Sequence, residues 1–537
     1  MRTGGSQRNR PAPKVAPALA QPSGRASRLM TNNTEHRGSH RGSGRGGAGR
    51  GKGLHRRRFL GGAAGAGLAA VAAAGTTFSL LTDAKGNKAG AATNTATLNI
   101  PDLLEGTTAD GTTTFTLTAE TGTHEVLSGV TSDTAGYNGS YLGPTMKWTT
   151  GSTVLLDITN DLDADTSVHF HGAHIPADMD GGPQNAFAAG ETWSPTFEIL
   201  DEAKTLWYHP HALGTTAEQV VHGLAGLIIV EDESDASAAL PGEYGVDDIP
   251  LVLQCLATDS AGDIKYDLTG YLRNTLSYPV LCNGTNVDDT TLTFTATRTR
   301  TRFRVLNASP SDIITVQRSD GGTLTQVATE QGYLTGATEV KSIRLVAGGR
   351  AEFVLDLDDA VTLQAVVTTG WVRGGSGTYD FLTVTPDASD TPEDLPSSLN
   401  TIERYDTSDF TAREITLDQD GLEMAINGAV GTTMDSMATI MTTLGSKEVW
   451  TITNNTMLEH SFHLHDVPFQ LTEINGEEPT GADLGWFDTY EVVGGGSIKI
   501  AMEFTDFADD TYMYMLHCHL LQHEDEGMMA GLMVMES

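Results

Sequence analysis

The amino-acid sequence predicts an all-β protein built of Greek-key barrels or sandwiches, and three observations carry that expectation. Apolar residues alternate, or run unbroken, over four to eight positions in segments such as TTTFTLTAET, STVLLDITN, LAGLIIVED, IPLVLQC, TRFRVLN, RAEFVLDL, KEVWTITN and IKIAMEF. Alternation is what a strand with one buried face needs, and an unbroken run suits a strand buried on both. Gly, Asp and Asn clusters punctuate these segments, and long amphipathic helices are scarce. Two acidic stretches bearing Pro and Ser, EDESDASAALPGEYG (231–245) and TPDASDTPEDLPSSLN (385–400), then divide the 537-residue chain into three units of ordinary domain size.

The chain begins differently. Residues 1–58 hold fourteen Lys or Arg against a single acid, Glu35, a net charge of +13. Residues 1–75 are read as a basic, disordered region ending in an export signal. The signal is the run RRRFL followed by GGAAGAGLAAVAAA (56–74), which resembles a twin-arginine signal at Arg56, Arg57, Phe59 and Leu60. The apolar stretch is short and Gly-rich for a stable membrane span, so cleavage near Ala74 is expected, with the membrane met only during export. That route carries folded proteins, which implies the twin-arginine machinery as a partner and a periplasmic, cell-envelope or secreted location.

A polar linker (76–95) leads to the three predicted units, 96–235, 236–395 and 396–537. The whole chain has a net charge of −36, so removing the +13 of residues 1–58 leaves −49. A surface so acidic repels the phosphate backbone and excludes nucleic acid as a partner; solubility or salt adaptation accounts for it. Three cysteines, Cys255, Cys282 and Cys518, make no disulfide framework. Cys255 and Cys282 are expected either to pair or to remain buried thiols.

Ten of the sixteen histidines fall in four clusters, two in the first unit and two in the third. They are HFHG with His169 and His171, WYHPH with His209 and His211, HSFHLH with His460, His463 and His465, and HCHLLQHEDEGMM with His517, Cys518, His519, His523 and Met528. Residues i and i+2 share a strand face, so His169/His171, His209/His211, His463/His465 and His517/His519 are four two-pronged clamps. Neutral imidazole suits copper, iron, nickel or zinc. A single zinc uses three or four ligands, so eight paired imidazoles point to several ions held close together.

Cys518, between His517 and His519, must face the other way. With His460, His523 and Met528 it completes a two-His, one-Cys, axial-Met set, the ligand set of a blue-copper electron-transfer site. An isolated HxH pair is commonly a surface or core feature without metal; four of them together with this Cys and Met are not. His124, His174 and His222 stand outside the clusters and are expected as surface or core residues.

The four clusters, in this order, resemble the signature of multicopper oxidases, over residues from about 95 to the C-terminus. The strings HGAHIPADMDGGPQ, YHPHALGTTAEQVVHGLAGLIIVEDE and HCHLLQHEDEGMM are similar to those of bacterial copper-efflux (cuprous) oxidases and bilirubin oxidase-like laccases. The resemblance implies three cupredoxin-like domains and four copper ions. It implies type 1 copper on His460, Cys518, His523 and Met528, type 2 on His169 and His463, and a type 3 pair on His171, His209, His211, His465, His517 and His519. The middle unit, without a ligand motif, is implied to be structural.

The implied reaction is one-electron oxidation of a phenol, aromatic amine, bilirubin-like compound or Cu(I), coupled to four-electron reduction of O2 to water. Asp180 and Glu524 match positions where the family carries an acid for proton delivery, with Asp525 next in line. Phe170 stands where Trp is common and Ser461 where Pro is common; neither change removes a ligand. The long Met- and His-rich insert of cuprous oxidases is missing. In its place Met434, Met437 and Met441 fall at helical spacing, read first as an apolar helix face and alternatively as a Cu(I) site. The competing functions are a copper-binding electron carrier without O2 chemistry and a copper nitrite reductase-like enzyme.

Overall fold

The computed structural model describes residues 94–266, 276–369, 376–421 and 423–536. The signal residues Arg56, Arg57, Phe59, Leu60 and Ala74, and most of the 76–95 linker, lie outside these ranges.

Strands dominate, and they pair into facing sheets around three cores. In the first unit the strands Thr112–Leu127 and Thr153–Asp161 oppose a sheet that holds Thr145–Thr149, Gly226–Glu231, Lys204–His209 and His169–His171. Leu117, Leu156, Ile158, Phe170 and Ile228 fill the space between. The third unit repeats the plan, with Lys447–Asn454 and Ser497–Glu503 facing a sheet that holds Ala438–Thr443, Met529–Met535, Tyr514–Cys518, His460–Leu464 and Thr489–Val492. The middle unit packs Leu253, Phe303, Phe353, Leu363 and Phe381 between its two sheets.

The alternation seen in the sequence is the pleat. In Thr153–Asp161, Val154, Leu156, Ile158 and Asn160 point inward while their neighbours are half-buried or exposed. The histidine-bearing strands break that pattern, because every residue of His169–His171, Lys204–His209, His460–Leu464 and Tyr514–Cys518 is buried. Each has a barrel core on one face and another unit of the chain on the other.

Strand Asn94–Thr97 pairs in parallel with Thr290–Thr293 of the middle unit, so the first described residues strap the second barrel. One expectation is overturned. Met434, Met437 and Met441 do not share a helix face: Met434 and Met437 lie in the turns before the strand Ala438–Thr443, and Met441 lies on that strand, 55% exposed. A strand turns side chains every second residue, so spacings of three and four that stack on a helix scatter here. Met434 and Met437 instead join Met513, Met515 and Met529 in a small cluster. Cys255 and Cys282 are both buried free thiols, and burial pushes each well above the usual thiol range. Among the described residues no helix is long and apolar enough to cross a membrane.

Candidate metal centre

Strand pairing sets the geometry. His169–His171 runs antiparallel to Lys204–His209, with His169 opposite His209 and His171 opposite Trp207. His460–Leu464 runs antiparallel to Tyr514–Cys518, with His463 opposite His517 and Phe462 opposite Cys518. Residues i and i+2 share a face, so Phe462, Leu464, Leu516 and Cys518 join the third barrel's core, while His463 and His517 look away from it, toward the first unit.

Two donor sets result. The eight clamp histidines gather where the first and third units meet, each no more than 1% exposed. The His169 ring stacks on His465 at 3.8 Å and the His171 ring on His463 at 3.7 Å, one partner from each unit. Three-donor groups with ligand atoms within 4.8 Å of one another are His169/His171/His209, His169/His463/His465 and His211/His465/His517. His519 enters no such group, but its ring lies 4.9 Å from that of His171 and 5.3 Å from that of His209. Gly348, at φ +84°, makes room for it, since a Cβ there would come within 3.0 Å of the His519 ring.

The second set lies inside the third barrel. Cys518 Sγ is 3.4 Å from His460 Nδ1 and 3.7 Å from His523 Nδ1, and those two nitrogens are 3.2 Å apart. Met528 is fully buried in the same core. Thr456 Oγ1 lies 2.8 Å from His460 Nε2 and turns the Nδ1 edge toward the sulfur. The five-residue helix Leu521–Asp525 separates the two sets, giving His523 to one and Glu524 to the other.

These donors fit metal ions. His169 Nε2, His171 Nδ1, His209 Nε2, His463 Nε2 and both ring nitrogens of His519 are buried without a hydrogen-bond partner. Imidazole nitrogens also face each other, His211 Nε2 and His465 Nε2 at 3.1 and 3.3 Å from His517 Nε2. An orphaned buried nitrogen costs about 1–3 kcal/mol, and so many aimed at shared points make sense only around cations. Burial holds the rings neutral: it pushes His171, His209, His465, His519 and His523 well below the usual range, His463 and His460 to about 4 and His211 to about 3. Burial raises the Cys518 thiol to about 12, while the backbone N–H groups of Leu520 and Ser461 favour its thiolate. A bound cation is what makes that thiolate accessible.

Carboxylates touch the outer nitrogens of the eight-histidine set. Asp180 Oδ2 accepts from His465 Nδ1 at 2.7 Å, and the Asp180 carbonyl accepts from His169 Nδ1 at 2.8 Å. The turn that brings it there needs Gly181, at φ +80°, where a Cβ would fall 1.8 Å from the Val168 carbonyl oxygen. Glu524 lies 3.1 Å from His517 Nδ1 and 3.4 Å from His211 Nδ1. Burial alone would raise its pKa, but His211 and His517 outweigh that and hold it well below the usual carboxylate range. Asp525 is turned aside to bond the backbone N–H groups of Thr216 and Ala217.

A third acid, Asp488, escapes sequence reasoning. It accepts from His171 Nε2 at 3.0 Å and is held by Arg350. Burial would raise it, yet Arg350 and then His171 keep it well below the carboxylate range. The signal was an acid inside the strand-like run WFDTYEVV; Arg350 carries no local signal.

His124, His174 and His222 bind elsewhere: His124 Nε2 bonds the Gly284 carbonyl, His174 sits between Asp466 and Asp506, and His222 Nδ1 bonds the Glu218 carbonyl.

Multicopper oxidase domain models match residues 118–235 and 394–537. The chain is 32% identical over 429 residues to the multicopper oxidase mco of Staphylococcus aureus, covering 78% of this chain and 88% of that protein. It is 30% identical over 463 residues to the cell division protein FtsP of Escherichia coli, covering 83% and 94%. Among solved structures, the laccase-like multi-copper oxidase CueO of Ochrobactrum sp. superposes with a TM-score of 0.72 at 32% identity, covering 81% of this chain and all of that one. Similarity therefore spans the barrels that bring the histidines together as well as both histidine-bearing ends, and with it a copper cofactor, O2 and a reducing substrate are implied: the chain belongs to the multicopper oxidase family, with a cupredoxin-like β fold.

Proposed function

We propose that the protein is a four-copper oxidase that passes electrons singly from a small reductant to O2, producing water. The observation that carries this reading is the tripeptide His517–Cys518–His519, whose sulfur faces one donor set and whose imidazoles face the other. His460, Cys518, His523 and Met528 are assigned to type 1 copper, His169 and His463 to type 2, and His171, His209, His211, His465, His517 and His519 to the type 3 pair. When bound, copper supplies one-electron redox chemistry at the first site and O2 chemistry at the second.

The protein's own groups organise the rest. His460 lines a small recess together with Ile313, Val346, Glu459 and Leu520, where electrons from outside would enter. From the sulfur, one peptide bond to either side reaches a histidine of the other set. Four protons are consumed per O2, and the ligand imidazoles cannot give them from their ligating nitrogens. Asp180 and Glu524, both buried, are the carboxyl groups in contact with the outer nitrogens of His465 and His517, placed to hand protons to the cluster edge.

The substrates proposed are phenols, aromatic amines, bilirubin-like compounds or Cu(I). The likeness to FtsP motivates a second reading, a cell-envelope role without catalysis; the full set of imidazole and thiol donors converging on shared points argues for the first. Oxygen uptake measured with a phenol, with Cu(I), and with nitrite as competing oxidant separates oxidase, cuprous oxidase and nitrite reductase. No uptake with any reductant, in protein holding four copper ions per chain, would leave the carrier or envelope role. Export by the twin-arginine route is part of the proposal, supported by Arg56 and Arg57 before the Gly/Ala run. Retention of the double Arg56→Lys, Arg57→Lys variant in the cytoplasm is the expected result.

A further inference from the structure

Asp488 is a meeting point of all three units. Its Oδ1 accepts from Arg350 Nη1 at 2.8 Å, from Thr489 Oγ1 at 2.7 Å and from His171 Nε2 at 3.0 Å. Its Oδ2 accepts from Arg350 Nη2 and from Gln331 Nε2, each at 2.5 Å. Its carbonyl accepts from His463 Nδ1 at 2.9 Å, and its backbone N–H donates to Glu330 Oε2 at 3.1 Å. Glu330, Gln331 and Arg350 all belong to the middle unit, which has no histidine cluster of its own. Arg350 also ties down the first unit by donating to the Thr205 carbonyl at 3.1 Å.

The pair is fully enclosed, Arg350 and Asp488 each 1% exposed. A buried ion pair is weak evidence for stability, because an apolar pair of similar volume packs as well without the desolvation cost. What a bidentate guanidinium adds is geometry: it fixes the plane of the carboxylate. That plane matters here. With His171 Nε2 committed to Asp488, the proton sits on the outer nitrogen and Nδ1 faces inward, where it is buried and has no hydrogen-bond partner. With His463 Nδ1 committed to the Asp488 carbonyl, Nε2 faces inward, likewise unpartnered. Asp488, together with Thr489 Oγ1 at 3.1 Å from both outer nitrogens, thus sets the tautomer of two rings that stack at 3.7 Å and use opposite nitrogens.

We propose that Arg350 of the middle unit is a positioning residue for the His171/His463 edge of the copper cluster, acting through Asp488 on the orientation and tautomer of both rings. The middle unit then does more than join the other two: it supplies the groups that hold that edge. The proposal rests on the copper assignment given under the proposed function. Partners of this kind are worth about 10–100-fold in metal affinity.

The test uses copper-loaded full-length protein, with copper counted per chain, blue absorbance recorded, and the type 2 copper followed by electron paramagnetic resonance and by its rate of loss to a chelator. Arg350→Lys keeps the charge and loses the fork; Arg350→Met loses both. The expected result is an unchanged blue site, an altered type 2 hyperfine pattern, and type 2 copper lost about 10–100-fold faster, more in Arg350→Met than in Arg350→Lys. Wild-type type 2 parameters in both variants would overturn the proposal, as would parallel loss of the blue and type 2 signals, the mark of a merely structural role. Should neither Arg350 variant fold, Gln331→Leu removes one donor to Asp488 while Lys204, which loses Gln331 Oε1, keeps Asp201 Oδ1 at 2.9 Å, and an unaltered type 2 signal there overturns it equally. A wild-type protein with no type 2 signal would instead refute the copper assignment itself.

Discussion

The Cys518 pocket and the eight-histidine chamber are neighbours on the same strands but obey different rules. The pocket is local: its donors come from residues 460–528 and sit among Phe462, Leu464, Leu516 and Leu520 inside one barrel core. The chamber is shared: rings of the first unit stack on rings of the third, and Asp180, Glu524 and Asp488 touch their outer nitrogens. The pocket's donor group, His460, Cys518 and His523, contains no carboxylate. A rigid apolar pocket suits electron transfer, where little should move and no proton is needed. A chamber ringed by acids suits a reaction that consumes protons with its electrons.

The largest expected effect separates the two outright. Cys518→Ser removes the sulfur from the pocket and leaves every chamber donor in place, so the blue colour and substrate oxidation should vanish while chamber copper remains. A Cys518→Ser protein that stayed blue would end the assignment. Next come the acids. Glu524→Gln and Asp180→Asn keep shape and remove a titrating proton, and should leave colour and copper content alone. Reoxidation of the reduced enzyme by O2 should slow by about 10²–10⁴-fold, with a solvent deuterium isotope effect. Normal reoxidation in both singles and the double would move the proton route elsewhere.

A smaller effect tests the pocket alone. Met528→Leu exchanges a weak thioether donor for hydrocarbon of similar volume, and the potential of the blue site should rise. A fall would point to Met529 as the axial group.

The smallest concerns the chamber's rim. His174 lies between Asp466, next to the chamber residue His465, and Asp506. Burial would lower its pKa, but Asp466, then Asp201 and Asp506, raise it from 6.5 to about 9. Asp466, in turn, is pushed up to about 6 by burial, which His174 only partly offsets, so the pair's net gain is below what the histidine shift alone implies. A histidine raised on folding stabilises fully below its unfolded pKa and loses that contribution as pH rises through the folded value. Wild type should therefore be more stable than His174→Gln by roughly 1 kcal/mol near pH 6, with the difference fading toward pH 9 and beyond, read by denaturant unfolding. A pH-independent difference would show that His174 acts by packing alone.

Much of this was legible before any coordinates, and the reason is locality. The HxH pairs, the opposed Cys518, and the contrast between alternating and fully apolar strands all follow from a period of two along a strand. Asp180 was visible because it stands nine residues after the first histidine pair, in the string HGAHIPADMDGG. The methionine stripe shows the limit: Met434, Met437 and Met441 match a helical period, but the neighbouring strand Met529–Met535 recruits Ala438–Thr443 into a parallel ladder and leaves Met441 at the surface. Local spacing does not say which partner the backbone will find.

By itself, then, the sequence determined the kinds of donor, their grouping in four clamps and a pocket, and the all-β class, since each depends on residues a few positions apart. Only the tertiary structure decided which clamps face one another, that Cys255 and Cys282 stay apart as thiols, and that Asp488 completes the chamber under the grip of Arg350. The physical reason is distance along the chain: His171 meets Asp488 across 317 residues and Asp488 meets Arg350 across 138, contacts that exist only once three barrels have packed.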